Sequence, residues 1–361
     1  MQQTQPLKKK FLILLFFSVF ITSAQTARKY SNEFMNIGVD AASLGMANAV
    51  TGITSDVNSG YWNPAGLLHL EDNQLSLMHA SYFANIATYN FAAFAMPLDD
   101  RSAVGISVIR FGVDDILNTT QLIDQQGNID YNRISLFSAA DYGFIFSYAR
   151  KLPLDGLNYG VNAKIIRRVI GEFASSWGFG FDVGIQFENK DWRFGVMARD
   201  ITTTYNIWNI DDEQFATIQG AVEGQNQEEP ETTEITIPKL QLGAGRRFDF
   251  RGDYSLLASV NLNMRFVQTN DIISTGSFSL DPAVGFEFGY IEMVFLRAGV
   301  GNFQNVLQLD GSESINFQPN IGVGFKYKGI QLDYALTDIG DQSVALYSNV
   351  FSLKVDFSVF R

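Results

Sequence analysis

The chain has 361 residues, with 31 Gly, 31 Phe and 14 Tyr, but only 8 Pro and no Cys. Without cysteine, the sequence excludes disulfide bridges, thiolate metal sites and a cysteine nucleophile. The net charge of -12 and the lack of a basic stripe argue against nucleic acid as a partner.

Residues 1–24 have the pattern of a secretory signal peptide. Residues 8–10 are lysines, residues 11–21 form an apolar run, and residues 22–24 are small residues suited to cleavage. The alternative is a membrane anchor, but this run is too short to cross about 30 Å of hydrocarbon. We therefore predict an exported protein whose first mature residue is Gln25.

Residues 25–70 are predicted to form a compact hatch. The segment 37–68 is rich in Gly, Ala, Ser and Asn and contains no Lys or Arg. Small residues let one backbone pack closely against another, and Pro64 fixes its own φ while holding Asn63 extended. The Asn63 amide can bond the turn that follows, so we predict a turn lock, with a ligand-responsive gate as the alternative. The predicted hatch motif comprises Gly38, Gly45, Met46, Trp62, Asn63, Pro64, Ala65 and Gly66.

Residues 71–361 show the alternation expected of a barrel wall. In residues 177–188, six apolar side chains alternate with glycines and polar residues, and the apolar set is Trp177, Phe179, Phe181, Val183, Ile185 and Phe187. A period of two indicates a strand with one apolar face. Aromatic-rich segments of about ten residues between turns are typical of outer-membrane barrels. We therefore predict an all-β, transmembrane antiparallel β-barrel with a plugged lumen.

We predict fourteen strands, and an even number suits a bacterial barrel. They lie near residues 73–82, 86–97, 101–111, 140–151, 156–168, 176–188, 191–200, 238–248, 253–266, 280–289, 292–301, 319–328, 329–338 and 348–360.

The connections between the predicted strands alternate in length. Short turns near residues 99, 155, 190, 252, 291 and 329 should face the periplasm, and longer loops should face outside. Both termini are then predicted on the periplasmic side. A soluble sandwich would also alternate, but aromatic residues at strand ends and a glycine-rich polar face favour a membrane barrel over it.

Charged residues on the predicted inner face should lie in the lumen. There they would fix the hatch by paired hydrogen bonds. By position in the alternation they are Lys164, Arg168, Asp182, Arg265, Arg297, Lys326, Asp333, Lys354 and Asp356.

The segment 201–237 is predicted to be an extracellular loop that docks a protein partner. Acidic residues are interleaved with apolar ones, and the candidate docking residues are Tyr205, Trp208, Asp211, Asp212 and Phe215. Aromatic anchors would supply affinity and acidic charge would orient the partner. The alternative is a flexible, solvated loop.

We predict no enzymatic activity, no cofactor and no metal site. The two histidines, His69 and His79, sit in no metal-ligand spacing and beside no plausible nucleophile.

A family resemblance rests on the runs 38–49, 55–57 and 61–67, which read GVDAASLGMANA, SDV and YWNPAGL. These runs resemble the N-terminal region of the PorV/PorQ outer-membrane proteins of the type IX secretion system, and the Asn-Pro-Ala core resembles the hatch of FadL-type transporters. The PorV resemblance implies an adaptor in the outer membrane whose partners are the translocon barrel, the C-terminal domains of cargo and the surrounding lipids. The FadL-like alternative implies transport of hydrophobic compounds, an apolar pocket under the loops and a lateral opening at a kinked strand.

Overall fold

The computed structural model describes residues 31–83, 85–123, 127–221, 232–250, 252–308, 311–337 and 347–360. The predicted signal peptide lies outside the described residues. The wall is a single antiparallel sheet that closes because β1 pairs with both β2 and β17. In chain order the strands are β1 (Gln74–Tyr82), β2 (Ala87–Asp99), β3 (Ser102–Asn118), β4 (Ser135–Lys151), β5 (Leu157–Ile170), β6 (Ala174–Asn189), β7 (Trp192–Arg199), β8 (Thr204–Ile210), β9 (Thr233–Thr236), β10 (Lys239–Phe250), β11 (Tyr254–Arg265), β12 (Ile273–Ser274), β13 (Ser279–Tyr290), β14 (Val294–Leu307), β15 (Glu313–Tyr327), β16 (Ile330–Thr337) and β17 (Ser348–Asp356).

These segments make a closed 14-stranded barrel. β7 and β8 pair with successive parts of β6 and together form one wall strand. Likewise β9 pairs with β8 and β10 pairs with β7, so these two also share one wall strand. β12 adds two residues at the end of β13. Each of the fourteen predicted strands coincides with one wall strand, so the predicted fold class is confirmed.

The predicted alternation matches the two sides of the wall. Trp177, Phe179 and Phe181 are each at least half exposed on the outside, whereas Asp182, the next residue along the strand, is buried in the lumen. An apolar exterior on a closed sheet is the architecture of a protein that spans the outer membrane. No helix among the described residues is long and apolar enough to cross a membrane.

Several connections are shorter than predicted because strand pairing continues beyond the apolar band. β3 runs on to Asn118 and β4 begins at Ser135, so residues 112–118 and 135–139 of the predicted loop 112–139 belong to strands. The predicted loop 201–237 contains β8, β9 and the helix α3 (Asp212–Ala221). Outside the lipid the outward side chains need not be apolar, and the periodic signal fades there.

The hatch fills the lumen with short helices and turns. It contains a 3-10 helix (Glu33–Asn36), α1 (Ala41–Gly45), α2 (Ser59–Trp62, the second helix) and a second 3-10 helix (Pro64–His69). Val39, Ala41, Ala65 and Leu67 are fully buried and form its core with inward residues of the wall.

The described chain begins at the loop end of the lumen. The Ser31 and Thr236 hydroxyls are 2.8 Å apart, and Asn206 donates to the Asn32 side chain at 2.8 Å. The C-terminal end lies at the short-turn end, where the Phe357 N–H donates to the Asn73 carbonyl. The predicted first mature residue, Gln25, lies outside the described residues, and the C-terminal end lies on the predicted periplasmic side.

Candidate functional site: the hatch and the vestibule above it

Asn63 ties the hatch to the wall from a fully buried position. Its amide nitrogen donates to the Thr51 carbonyl at 3.1 Å and to the Ile185 carbonyl of β6 at 3.0 Å. Its amide oxygen accepts from the Ala65 N–H at 3.3 Å and so caps the helix that begins at Pro64. One side chain thus joins two parts of the hatch and one wall strand.

The rest of the hatch motif packs against glycines of the wall. A Cβ placed at Gly160 would lie 2.5 Å from the Pro64 carbonyl carbon, and one at Gly299 would lie 2.4 Å from that of Met46. Such distances are incompatible with any side chain, so only glycine allows this approach. The glycines of the alternating pattern therefore mark where hatch backbone meets wall backbone.

Neutral amides of the wall hold the hatch backbone. Asn162 donates to the Gly60 carbonyl and Gln186 to the Thr54 carbonyl, both at 2.9 Å. Asn261 donates to the Thr51 hydroxyl at 2.6 Å. Sequence reasoning missed these anchors because it considered only charged lumen residues. The alternating pattern could have identified them, because each of these amide residues lies at an inward position of its strand.

Most of the predicted lumen charges pair with other wall residues. Lys164 bonds Asp182 at 2.7 Å and Asp200 at 2.5 Å, and Arg297 bonds Asp333 at 2.6 Å. The remaining predicted charges divide between wall and hatch: Arg168 pairs with Asp141 and Glu234, Arg265 with Asp271, Lys354 with hatch residue Asp56, and Asp356 accepts from Gln74, whereas Lys326 is exposed.

In the described chain, Lys354 is the predicted charge that forms a salt bridge with the hatch. The prediction that the lumen charges hold the hatch by paired hydrogen bonds therefore applies, among the nine predicted residues, to Lys354. Apart from the exposed Lys326, the others pair with residues of the wall, where buried charges need partners.

Asp40 is a buried acid at the start of α1. Its φ of 73° is uncommon for a residue with a side chain, and among the described residues its Oδ1 has no hydrogen-bond partner. The Ser43 hydroxyl donates to Oδ2 at 3.2 Å. Burial raises the pKa of Asp40 to about 6, although nearby Lys354 acts in the opposite direction. This acid therefore changes charge near neutral pH.

A cavity of about 430 Å³ lies on the loop side of the hatch, and we call it the vestibule. Residues of the hatch and of β1 to β3 give it one largely apolar side, formed by Ile37, Leu44, Tyr61, Trp62, Tyr82, Phe83 and Phe111. The opposite side, from β7 to β15, is mostly polar and includes Arg199, Lys239, Gln241, Asn263, Arg265, Asp281 and Gln318. The apolar pocket expected for the FadL-like alternative is thus apolar on one side only.

The FadL-like alternative also predicts a kinked wall strand, and the wall strand formed by β7 and β8 has a kink between these two segments. Asp200 and Thr203 both have positive φ, of 55° and 58°, and interrupt the wall strand. Buried polar groups fill the interruption, since Asp200 accepts from Lys164 at 2.5 Å and from the Thr204 hydroxyl at 2.6 Å. The described residues close the wall at this kink.

The predicted docking residues do not form one loop surface. Tyr205 lies on β8, directly opposite Phe179, and is 54% exposed on the outside of the wall. Trp208 packs under the Arg168 guanidinium, 5.1 Å from the ring centre. Asp211 and Asp212 are exposed at the start of α3, and Phe215 is partly buried in that helix. A docking role for these residues stays a prediction.

The histidines have structural neighbours. His69 is 3.9 Å from Glu188, and burial lowers its pKa. His79 faces outward and is 2.7 Å from the Asn90 amide oxygen. In the described part of the chain, no three acidic, histidine or cysteine side chains come close enough to hold a metal ion.

Comparison with known proteins relates this chain to solved structures alone. No family model matches it, and no curated protein does. A FadL homologue of Pseudomonas aeruginosa has a TM-score of 0.51 at 14% identity, covering 88% of this chain and 98% of that chain. The CymD monoaromatic hydrocarbon channel has a TM-score of 0.55 at 11% identity, covering 89% and 98%, and the P. putida toluene transporter TodX has 0.54 at 12%, covering 89% and 99%. At these identities the likeness shows the fold, which is a FadL-like barrel closed by an N-terminal hatch.

Proposed function

We propose that this barrel takes up a small amphipathic molecule across the outer membrane and that the vestibule is its first binding site. The observation that carries the proposal is the two-sided lining of the cavity, aromatic on one side and polar on the other. Concave sites with a mainly apolar wall and a few polar groups are typical of small-molecule binding. The shared fold with a toluene transporter and a hydrocarbon channel supports transport, and the polar side favours an amphipathic molecule over a pure hydrocarbon.

Lys239 is the residue that we assign to the polar end of the ligand. Its ammonium group is mostly buried, yet its salt bridge to Glu33 is 3.5 Å long and Glu33 is half exposed. The neighbouring Arg199 already donates to the Gln241 side chain at 2.8 Å and to the Tyr61 carbonyl at 2.9 Å. Lys239 can therefore exchange its partner for a ligand more readily, while Arg199 holds the hatch.

Binding to the purified protein and uptake by whole cells that produce it test the proposal with two probes, dodecanoate as the amphiphile and toluene as the hydrocarbon. Lys239→Gln should lower dodecanoate binding about tenfold, because it removes a charge-assisted hydrogen bond. The matched control is Lys326→Gln, which changes an exposed lysine of the same wall. Equal dodecanoate binding by both variants, or uptake by producing cells that is no faster than uptake by cells without the protein, would contradict the proposal.

A second candidate function is the adaptor role implied by the PorV resemblance, and the tight seating of the hatch favours it. An adaptor needs no moving hatch, whereas uptake does. Asp56→Cys combined with Lys354→Cys allows a short bifunctional thiol reagent to tie hatch to wall, because the native side chains form a salt bridge. Under that crosslink a transporter should lose uptake, and an adaptor should still capture the C-terminal domains of cargo.

A further inference from the structure

The outward apolar band of the barrel is not equally tall on all sides. On β6 six outward apolar residues follow one another from Phe187 up to Trp177. At about 3.3 Å per residue and a tilt of about 40°, this run is about 25 Å tall, the height expected of a membrane-spanning band.

The band is much shorter on the outer side of β17, β1, β2 and β3, which we call the low face. On β1 only Leu75 and Leu77 precede the outward His79. On β3 the outward run of Val104, Ile106 and Val108 stops at Arg110, and the next strongly exposed apolar residue is Leu117, near the upper end of the strand. The same arithmetic gives the band a height of about 5 Å on β1, from Leu75 to Leu77, and about 10 Å on β3, from Val104 to Val108.

Polar side chains replace the missing part of the band and bond one another across strands. His79 and Asn90 are directly opposite and 2.7 Å apart, and Asn90 is in turn opposite Arg110. Arg110 donates to Asp114 at 2.7 Å and to the Thr88 hydroxyl at 3.3 Å. Charged groups are tolerated on the outside of a barrel near the interface and are unfavourable among lipid tails.

The rim of the vestibule is also lower above β1 and β2 of the low face than above β3 and β4. β1 ends at Tyr82 and β2 begins at Ala87, whereas β3 and β4 continue their pairing to Asn118. Phe83, in the turn between β1 and β2, lines the vestibule and is 52% exposed. Phe83 thus lies at the rim of the cavity, just beyond the upper end of the strand that carries the outward His79.

We propose that the outer-leaflet headgroup layer dips along the low face to the level of His79 and Arg110, and that amphiphiles dissolved in this leaflet reach the vestibule over the β1–β2 turn. A wall with a short apolar band thins the bilayer around it, which brings the lipid interface down to the polar side chains. The access route rests on the proposed function, whereas the dip does not.

The dip is tested by single-cysteine labelling, which the cysteine-free chain permits without background. His79→Cys and Val183→Cys both place an outward thiol five or six residues from the short-turn end of the strand. In phosphatidylcholine proteoliposomes a membrane-impermeant maleimide should modify the thiol at position 79 at least about tenfold faster. Ser81→Cys against Phe181→Cys repeats the comparison if the first pair does not fold.

Similar rates in both members of the two pairs would show that lipid tails cover the low face and would overturn the dip. Fast labelling of position 79 in proteoliposomes but protection in intact cells would show that a protein covers this face instead. That result would also overturn the assignment to lipid.

The access route is tested with a photoreactive dodecyl amphiphile dissolved in the same bilayer. After irradiation, labelling of hatch residues 61 and 62 should fall several-fold in Phe83→Arg. It should stay unchanged in Phe266→Arg, which alters an exposed aromatic residue just beyond β11. Equal labelling in both variants would refute the route. Absence of hatch labelling in the unaltered protein would refute the route together with the proposed function, and the maleimide rates would still decide the dip.

Discussion

Replacing Asn63 by alanine should loosen the hatch while leaving the barrel intact. The buried amide makes three hydrogen bonds, two to the carbonyl groups of Thr51 and Ile185 and one to the Ala65 N–H. At about 1 kcal/mol net for each bond, the substitution should cost about 3 kcal/mol. Since 1.4 kcal/mol corresponds to a factor of ten, local opening of the hatch should become about a hundredfold more frequent.

Hydrogen–deuterium exchange followed by mass spectrometry measures this opening segment by segment. Peptides covering residues 59–70 should exchange much faster in Asn63→Ala, and peptides covering residues 177–188 should not change. The matched control is Asn36→Ala, because Asn36 is another hatch asparagine and bonds the exposed Glu33 at 3.0 Å. If residues 59–70 exchange at nearly the same rate in both variants, Asn63 does not lock the hatch and the reasoning is refuted.

Three further substitutions probe other contacts between hatch and wall. Gly160→Ala should prevent normal seating of the hatch and expose it to protease, whereas Gly276→Ala, with open space around it, should behave as the unaltered protein. Lys354→Met should destabilise the hatch by about 1 to 3 kcal/mol in exchange experiments, because Asp56 loses its partner. Burial raises the pKa of Asp40 to about 6, so the protonated carboxyl group stabilises the seated hatch. This stabilisation is complete below the ordinary Asp pKa of 3.8 and is lost as the pH rises through about 6. After division by the intrinsic, base-catalysed exchange rate at each pH, the hatch should therefore be more protected at about pH 5 than at about pH 8, and Asp40→Asn should abolish this difference in protection.

The wall could be predicted from the sequence because lipid imposes one simple condition on it. Every outward side chain within the membrane must be apolar, so residues 177–188 carry a regular period of two that needs no tertiary information. The condition ends at the membrane surface. The upper part of β3, with the exposed Asp114 and Asp115, therefore escaped prediction. β8 escaped for a different reason, because the kink at Asp200 and Thr203 interrupts the alternation between β7 and β8.

The hatch could be located from its composition, but its contacts could not. Asn162, Gln186 and Asn261 look like ordinary lumen residues until the closed barrel places them beside particular hatch carbonyl groups. The prediction that the lumen charges pair with the hatch was wrong for most of them for the same reason. A charge known to face the lumen has several possible partners, and only the register of neighbouring strands decides that Lys164 meets Asp182 instead of the hatch.

The wall glycines constrain how any ligand could pass the hatch. Glycine weakens a strand, yet Gly160, Gly184, Gly195 and Gly243 occupy inward positions where a Cβ would overlap the hatch. Their absent side chains leave the inner wall incomplete wherever the hatch is removed, so wall and hatch together form the folded core. Expulsion of the whole hatch would expose that core to water. A ligand should therefore pass when part of the hatch shifts against the wall without leaving the lumen. Uptake should survive substitutions that loosen one hatch contact but fail when hatch and wall are covalently joined.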